Sequence, residues 1–103
     1  MVTVAPKRRE MVADFCAGAG GKTLMLEGDL GVAGTGTRLV EETAKAFGRF
    51  DVLVANAGFA DRRPVGEVDR AAWDASLASM TTAFFEMVTA AKPWLIKSGA
   101  QGR

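Results

Sequence analysis

The sequence predicts an α/β fold built on a parallel sheet, from three observations. Short β-branched or apolar runs alternate with longer stretches whose apolar residues recur every three or four positions, in the order strand, helix, strand, helix, strand, helix. The third strand, Asp51-Val52-Leu53-Val54-Ala55, carries an unbroken apolar run, as strands buried on both faces do. Polar or glycine breaks follow the second and third strands at equivalent places, Asp29 and Asn56-Ala57-Gly58, where open parallel sheets hold ligands.

Each element can be justified in turn. Val2-Thr3-Val4-Ala5 is β-branched and stops at Pro6, so it reads as a strand. From Lys7, the residues Met11, Val12, Phe15, Cys16 and Ala19 share one face of an expected helix, which Gly18, Gly20 and Gly21 close. Lys22 to Glu27 is a short apolar run expected as a strand, and Gly28-Asp29 turns out of it. Gly31 to Gly36 reads as a loose glycine-rich loop. A helix then runs from about Thr37, with Leu39, Val40, Thr43, Ala44 and Phe47 on one face, and Gly48 ends it. Beyond the third strand, Phe59 to Val68 is a loop holding Asp61, Arg62, Arg63 and Pro64. A long helix starts near Asp69, its expected N-cap. The apolar stripe of that helix is Trp73, Leu77, Met80, Phe84, Val88, Ala91 and Leu95, and Pro93 is expected to kink or end it.

Composition narrows the function. The 103 residues make one domain or part of one, taken as a single unit over 1–103. Hydrophobic residues at 49% and charged residues at 24% are near globular averages and exclude wholesale disorder. Thirteen basic against twelve acidic residues leave a net charge of +1, which gives no case for a nucleic-acid or basic membrane-surface partner. The chain has no histidine and no tyrosine. It therefore holds no His-based triad, no His metal site and no phenolic acid or base. Its single cysteine, Cys16, excludes an internal disulfide and a multi-Cys zinc site, and reads as an inert core thiol. No apolar run reaches the ~18 residues of a membrane span. The start, MVTVAPKRRE, places its charges after its apolar residues, the reverse of a secretory signal. The expectation is a cytoplasmic protein.

A family resemblance rests on an ordered series of motifs. Phe47-Gly48-Arg49-Phe50-Asp51 leads into DVLVANAG, with Ala55-Asn56-Ala57-Gly58 at the strand end. Leu26 to Leu30 reads LEGDL, Ala72-Trp73-Asp74 opens the long helix, and Ala91-Lys92-Pro93 lies near its end. This series resembles the short-chain dehydrogenase/reductase family, from its second strand to just before its fifth, over essentially all 103 residues. The resemblance implies a Rossmann-like parallel sheet and hydride transfer between NADP(H) or NAD(H) and a carbonyl or alcohol. It also implies that Asp29 and Leu30 meet the adenine edge, and that Asn56, Ala57 and Gly58 line the cofactor ribose. Lys7, Arg8 and Arg9 follow the strand where the family distinguishes its two cofactors. Basic side chains there can pair a ribose 2′-phosphate, so Arg8 and Arg9 favour NADP over NAD.

The departures matter as much. The resemblance starts after the family's glycine-rich first strand-turn-helix unit and stops before its catalytic Ser and Tyr-x-x-x-Lys pair. No catalytic residue is therefore assigned, and the expectation is a partial Rossmann-like domain, a fragment inactive by itself. Met80 occupies the place of the asparagine that many members carry on the long helix, and Ala55 replaces the first Asn of the strand-end motif. In the family's sheet order the missing first strand lies between the second and fourth. The chain is expected to close that gap by pairing Val2 to Ala5 with Asp51 to Ala55, or else to leave aggregation-prone edges. The resemblance further implies a small-molecule substrate for the full-length parent and a homo-oligomer through the long helix, where Ala78 and Phe85 add an apolar face. The alternative is a non-catalytic nucleotide-binding or interaction module of α/β fold.

Three features are weaker pointers. Cys16 to Thr23 resembles a phosphate-binding P-loop, but with a helix before it and a strand after it, the reverse of what that loop needs. Gly31, Gly34 and Gly36 have a dinucleotide loop's glycine spacing in reverse order, which a flexible loop explains better. Asp61, Glu67, Asp69 and Asp74 read as a solvated loop and helix cap, so no metal is expected.

Overall fold

A computed structural model describes residues 2–7, 10–15, 24–58 and 60–99, the first two ranges as backbone only. Four strands form one sheet: β1 (Val2–Lys7), β2 (Glu10–Phe15), β3 (Leu26–Glu27) and β4 (Leu53–Val54), in the order β3-β2-β1-β4. β2 runs antiparallel to both β1 and β3, whereas β1 pairs with β4 in parallel. β1, β3 and β4 therefore point the same way.

Two expectations are corrected here. Glu10–Phe15 is a strand, not the first turns of a helix, and it lies between β1 and β3. Met11, Val12 and Phe15 fit a helical face, but Met11, Ala13 and Phe15 also alternate. A six-residue run cannot separate the two periods, and the long pairing with β1, from Val2↔Phe15 to Lys7↔Glu10, decides the outcome. Among the described residues the sheet thus has four strands where three were expected, and it is mixed rather than wholly parallel, because β2 joins β1 as an antiparallel partner. Pro6 lies inside β1 and does not end it. β4 pairs only at Val2↔Leu53 and Thr3↔Val54, so Pro6, which has no N–H to donate, lies beyond that ladder. That pairing closes the expected gap directly.

Helix α1 (Thr35–Phe47) follows the expected stripe and begins two residues earlier. Leu39, Val40, Thr43 and Ala44 are buried along it. The buried Thr43 hydroxyl donates to the Leu39 carbonyl at 2.7 Å, which satisfies it within the helix. Gly48 ends the helix in the left-handed region (φ 69°), its N–H donating to the Ala44 carbonyl.

The second helical run has three parts: α2 (Arg70–Ser76), a π-helical segment (Leu77–Thr82) and α3 (Ala83–Lys97). Asp69 caps it as expected, its carboxylate accepting from the Ala72 N–H at 2.8 Å. Pro93 neither ends nor interrupts it: α3 continues to Lys97, and the irregular turn comes earlier, at 77–82. The expected apolar stripe is also displaced. Ala83, Met87 and Ala91 are the buried residues of α3, while Trp73, Leu77, Phe84 and Val88 stand largely exposed. A π turn packs more residues per revolution than an α turn, so a constant 100° step cannot be carried through it.

α1 and α3 pack at a close crossing. A side chain at Gly36 would place its Cβ 3.0 Å from the Ala83 carbonyl oxygen and from Met87 Cγ, so the neighbours would have to give way by a few tenths of an ångström. Leu30 and Phe50, from the segments after β3 and before β4, join Leu39, Val40, Ala44, Ala83, Met87 and Ala91 in one core. Leu26, Leu53 and Ala57 pack against it, which fixes both strand ends to the helix pair.

Candidate functional site at the strand ends

The expected site residues lie just past β3 and β4. Because those strands are parallel to each other, Asp29 and Asn56 lie past the same end of the sheet. Three strand spacings separate β3 from β4 in the order β3-β2-β1-β4, about 14 Å. Ligands in open α/β sheets bind beyond such ends.

Beyond β3, residues 28–34 form a tight turn. One Asp29 carboxylate oxygen accepts from the Gly31 N–H at 2.8 Å, and the Asp29 carbonyl accepts from the Val32 N–H at 3.0 Å. The other carboxylate oxygen makes no hydrogen bond found among the described residues, and Asp29 is exposed. It can therefore accept from an exocyclic amine while the first oxygen orients it. The Leu30 side chain is 3% exposed and belongs to the core, so only its backbone can face a ligand.

Beyond β4, Asn56 and Gly58 are exposed and Ala57 is half-buried. Gly58 lies against the π segment: a Cβ there would sit 3.7 Å from Met80 Sδ. The irregular turn thus brings Met80 to the strand-end motif. A thioether is a weak acceptor and no donor, so it gives this edge an apolar wall where an asparagine would give a polar one.

Arg8 and Arg9 lie outside the described residues, as do Cys16, the P-loop-like run to Thr23, and Phe59. Three of the acids between 61 and 74 are engaged elsewhere. Asp61 is gripped by Arg63, whose guanidinium pulls its carboxyl down to about 2. Asp74 pairs with Arg70, and Asp69 caps α2. No group of three His, Cys, Asp or Glu side chains able to hold a metal occurs among the described residues. At the opposite end of β4, a shallow groove lies between Gly48, Arg49, Trp94, Lys97 and Ser98. Arg49 there holds Asp51 through two hydrogen bonds, which lowers the Asp51 pKa. No helix among the described residues is long and apolar enough to cross a membrane.

Two residues that organise the site escaped the motif reading. Glu86 accepts from the Gly34 N–H with both oxygens, at 3.0 and 3.2 Å, and so caps α1 from α3. Arg38 donates to the Glu27 carbonyl at 2.7 Å. The only sequence signal for Glu86 was its being the single charge from Ala83 to Ala91.

Comparison with known proteins matches these features to one family. The family model described as enoyl-(acyl carrier protein) reductase matches residues 1–102. A fatty acyl-CoA reductase of Mycobacterium tuberculosis is 40% identical over 70 residues, 64% of this chain and 24% of that protein. The chain thus spans about a quarter of that relative's length. No solved structure matches the chain. With the family model covering nearly every residue, and with LEGDL and the Asn-Ala-Gly strand end in their expected places, the chain belongs to the short-chain dehydrogenase/reductase family, whose fold is Rossmann-like α/β.

Proposed function

We propose that this chain is the cofactor-edge portion of an NAD(P)(H)-dependent oxidoreductase, a partial Rossmann-like domain within a longer protein. The observation that carries the reading is the pair of polar breaks, Asp29 beyond β3 and Asn56 beyond β4, at the same end of the sheet. In this reading Asp29 and the Leu30 backbone receive the adenine edge, and Asn56, Ala57 and Gly58 line a ribose. Arg8 and Arg9 favour the 2′-phosphate of NADP, by charge and sequence position alone.

A bound nicotinamide cofactor would supply hydride for reduction of a carbonyl, and these residues would hold its adenine and ribose. No Tyr or His is present in these 103 residues to give the accompanying proton. In this reading the proton donor lies elsewhere in the longer protein, and the isolated 103 residues are inactive. The relative is named a fatty acyl-CoA reductase and the family is described as enoyl-(acyl carrier protein) reductase. Together these names support an acyl substrate. Titration of the natural full-length protein with NADPH and NADH, followed by turnover with a fatty acyl-CoA, tests the reading. Saturable binding with NADPH oxidation is expected. Binding without turnover would turn the reading to a nucleotide-binding module, and no binding would end it.

A further inference from the structure

Residues 28–34 are held at both ends by charged side chains from outside the turn. At its start, Arg38 donates to the Glu27 carbonyl at 2.7 Å while its other terminal nitrogen reaches Glu42 at 3.2 Å. The approach is close enough that a Cβ at Gly28 would fall 2.6 Å from Arg38 Nη2. At its end, both Glu86 oxygens accept from the Gly34 N–H. Gly34 has φ 86° and no side chain to cap α1, and the first turn of α1 carries no acid. At that φ a Ser or Asp would be strained, so the turn is held from outside rather than by a local cap. Glu86, 52 residues away, also ties the turn to α3.

We infer that Arg38 and Glu86 are positioning residues for cofactor recognition: they clamp the two ends of the turn so that the outward oxygen of Asp29 is set to accept from the exocyclic amine of adenine. This rests on the cofactor reading above. A hydrogen-bonded contact tolerates an error of only about 0.5 Å before it weakens, so the orientation of a short exposed side chain depends on how its backbone is held. Asp29 is held from within by the Gly31 and Val32 N–H groups, and those bonds fix its carboxylate only relative to the turn. Arg38 and Glu86 fix the turn relative to β3 and to the helix pair.

The test uses the natural full-length protein and two ligands, NADPH and its deamino analogue, in which hypoxanthine replaces adenine and the exocyclic amine is lost. The wild type is expected to prefer NADPH about tenfold. Arg38→Met and Glu86→Ala are expected to weaken NADPH about fivefold to tenfold, leave the analogue within about twofold, and so erase the preference. Glu86→Gln, whose amide oxygen still accepts from the Gly34 N–H, is expected to keep most of the preference at an unchanged melting temperature. Equal loss of both ligands, or no loss of either, overturns the inference and leaves the cofactor reading standing. A wild type that binds both ligands equally removes the role of Asp29 and this inference together. A wild type that binds neither overturns the cofactor reading itself.

Discussion

The two strand ends of this chain are built in opposite ways. Beyond β3, the turn around Asp29 is braced by Arg38, by Glu86 and by its own Asx turn, and Leu30 anchors it in the core. Beyond β4, residues 55–67 are exposed where described, apart from the half-buried Ala57. Asp61 and Arg63 brace each other there, and Met80 is the nearest side chain to Gly58. The first end has its shape set by contacts within the chain. The second offers a motif whose surroundings these contacts do not fix. The difference teaches that one strand end can be organised within a segment this short, because a helix pair supplies the bracing.

The largest test of the comparison is at the helix crossing. Met87 is 2% exposed and meets α1 at Gly36. Met87→Ala should cost about 2–5 kcal/mol in denaturant unfolding, because the cavity between α1 and α3 cannot fully collapse. A loss under half a kilocalorie would mean that the crossing does not hold the β3 end. Gly36→Val should cost about 1–3 kcal/mol, since the added side chain meets the Ala83 carbonyl, a backbone atom that cannot swing away. Calorimetry of the two variants ranks cavity against overpacking at one contact.

The β4 end should answer differently. Asn56→Ala should leave unfolding free energy within about 0.5 kcal/mol, because the residue is exposed. The same change should weaken NADPH binding about tenfold if Asn56 lines the ribose. A stability loss as large as that of Met87→Ala would erase the contrast between the two ends. The smallest effect concerns acid. Asp61 titrates at about 2 in the folded protein against 3.8 unperturbed, held down by its hydrogen bond to Arg63. A lowered folded pKa stabilises above about pH 4 and is lost as pH falls toward 2. The stability of the wild type relative to Asp61→Asn should therefore decline over that window and be flat above it. The pair lies on a surface loop, so solvent screening keeps the change slight.

Much of the braced region was legible in the sequence. Leu39, Val40, Thr43 and Ala44 recur at helical spacing and are buried, and Gly48 stops α1 where a left-handed cap is needed. Asp69 reads as an N-cap and acts as one. The motifs LEGDL and Asn56-Ala57-Gly58 pointed to the family that the comparison supports. Local spacing and capping chemistry involve residues within one or two turns, so a one-dimensional reading contains them.

What the tertiary structure decided involves partners far apart in the chain. Glu10–Phe15 became a strand because β1 offered six residues of pairing, although its apolar pattern suits either period. The face of α3 that is buried was set by a π turn upstream, not by the composition of α3, which is apolar on more than one side. Glu86 meets Gly34 across 52 residues, and no local pattern encodes that meeting. The sequence by itself determined the α/β class, the helix ends and the family. Strand pairing, helix phase and the bracing of Asp29 were left to long-range contacts, whose free energy depends on what folding brings within reach.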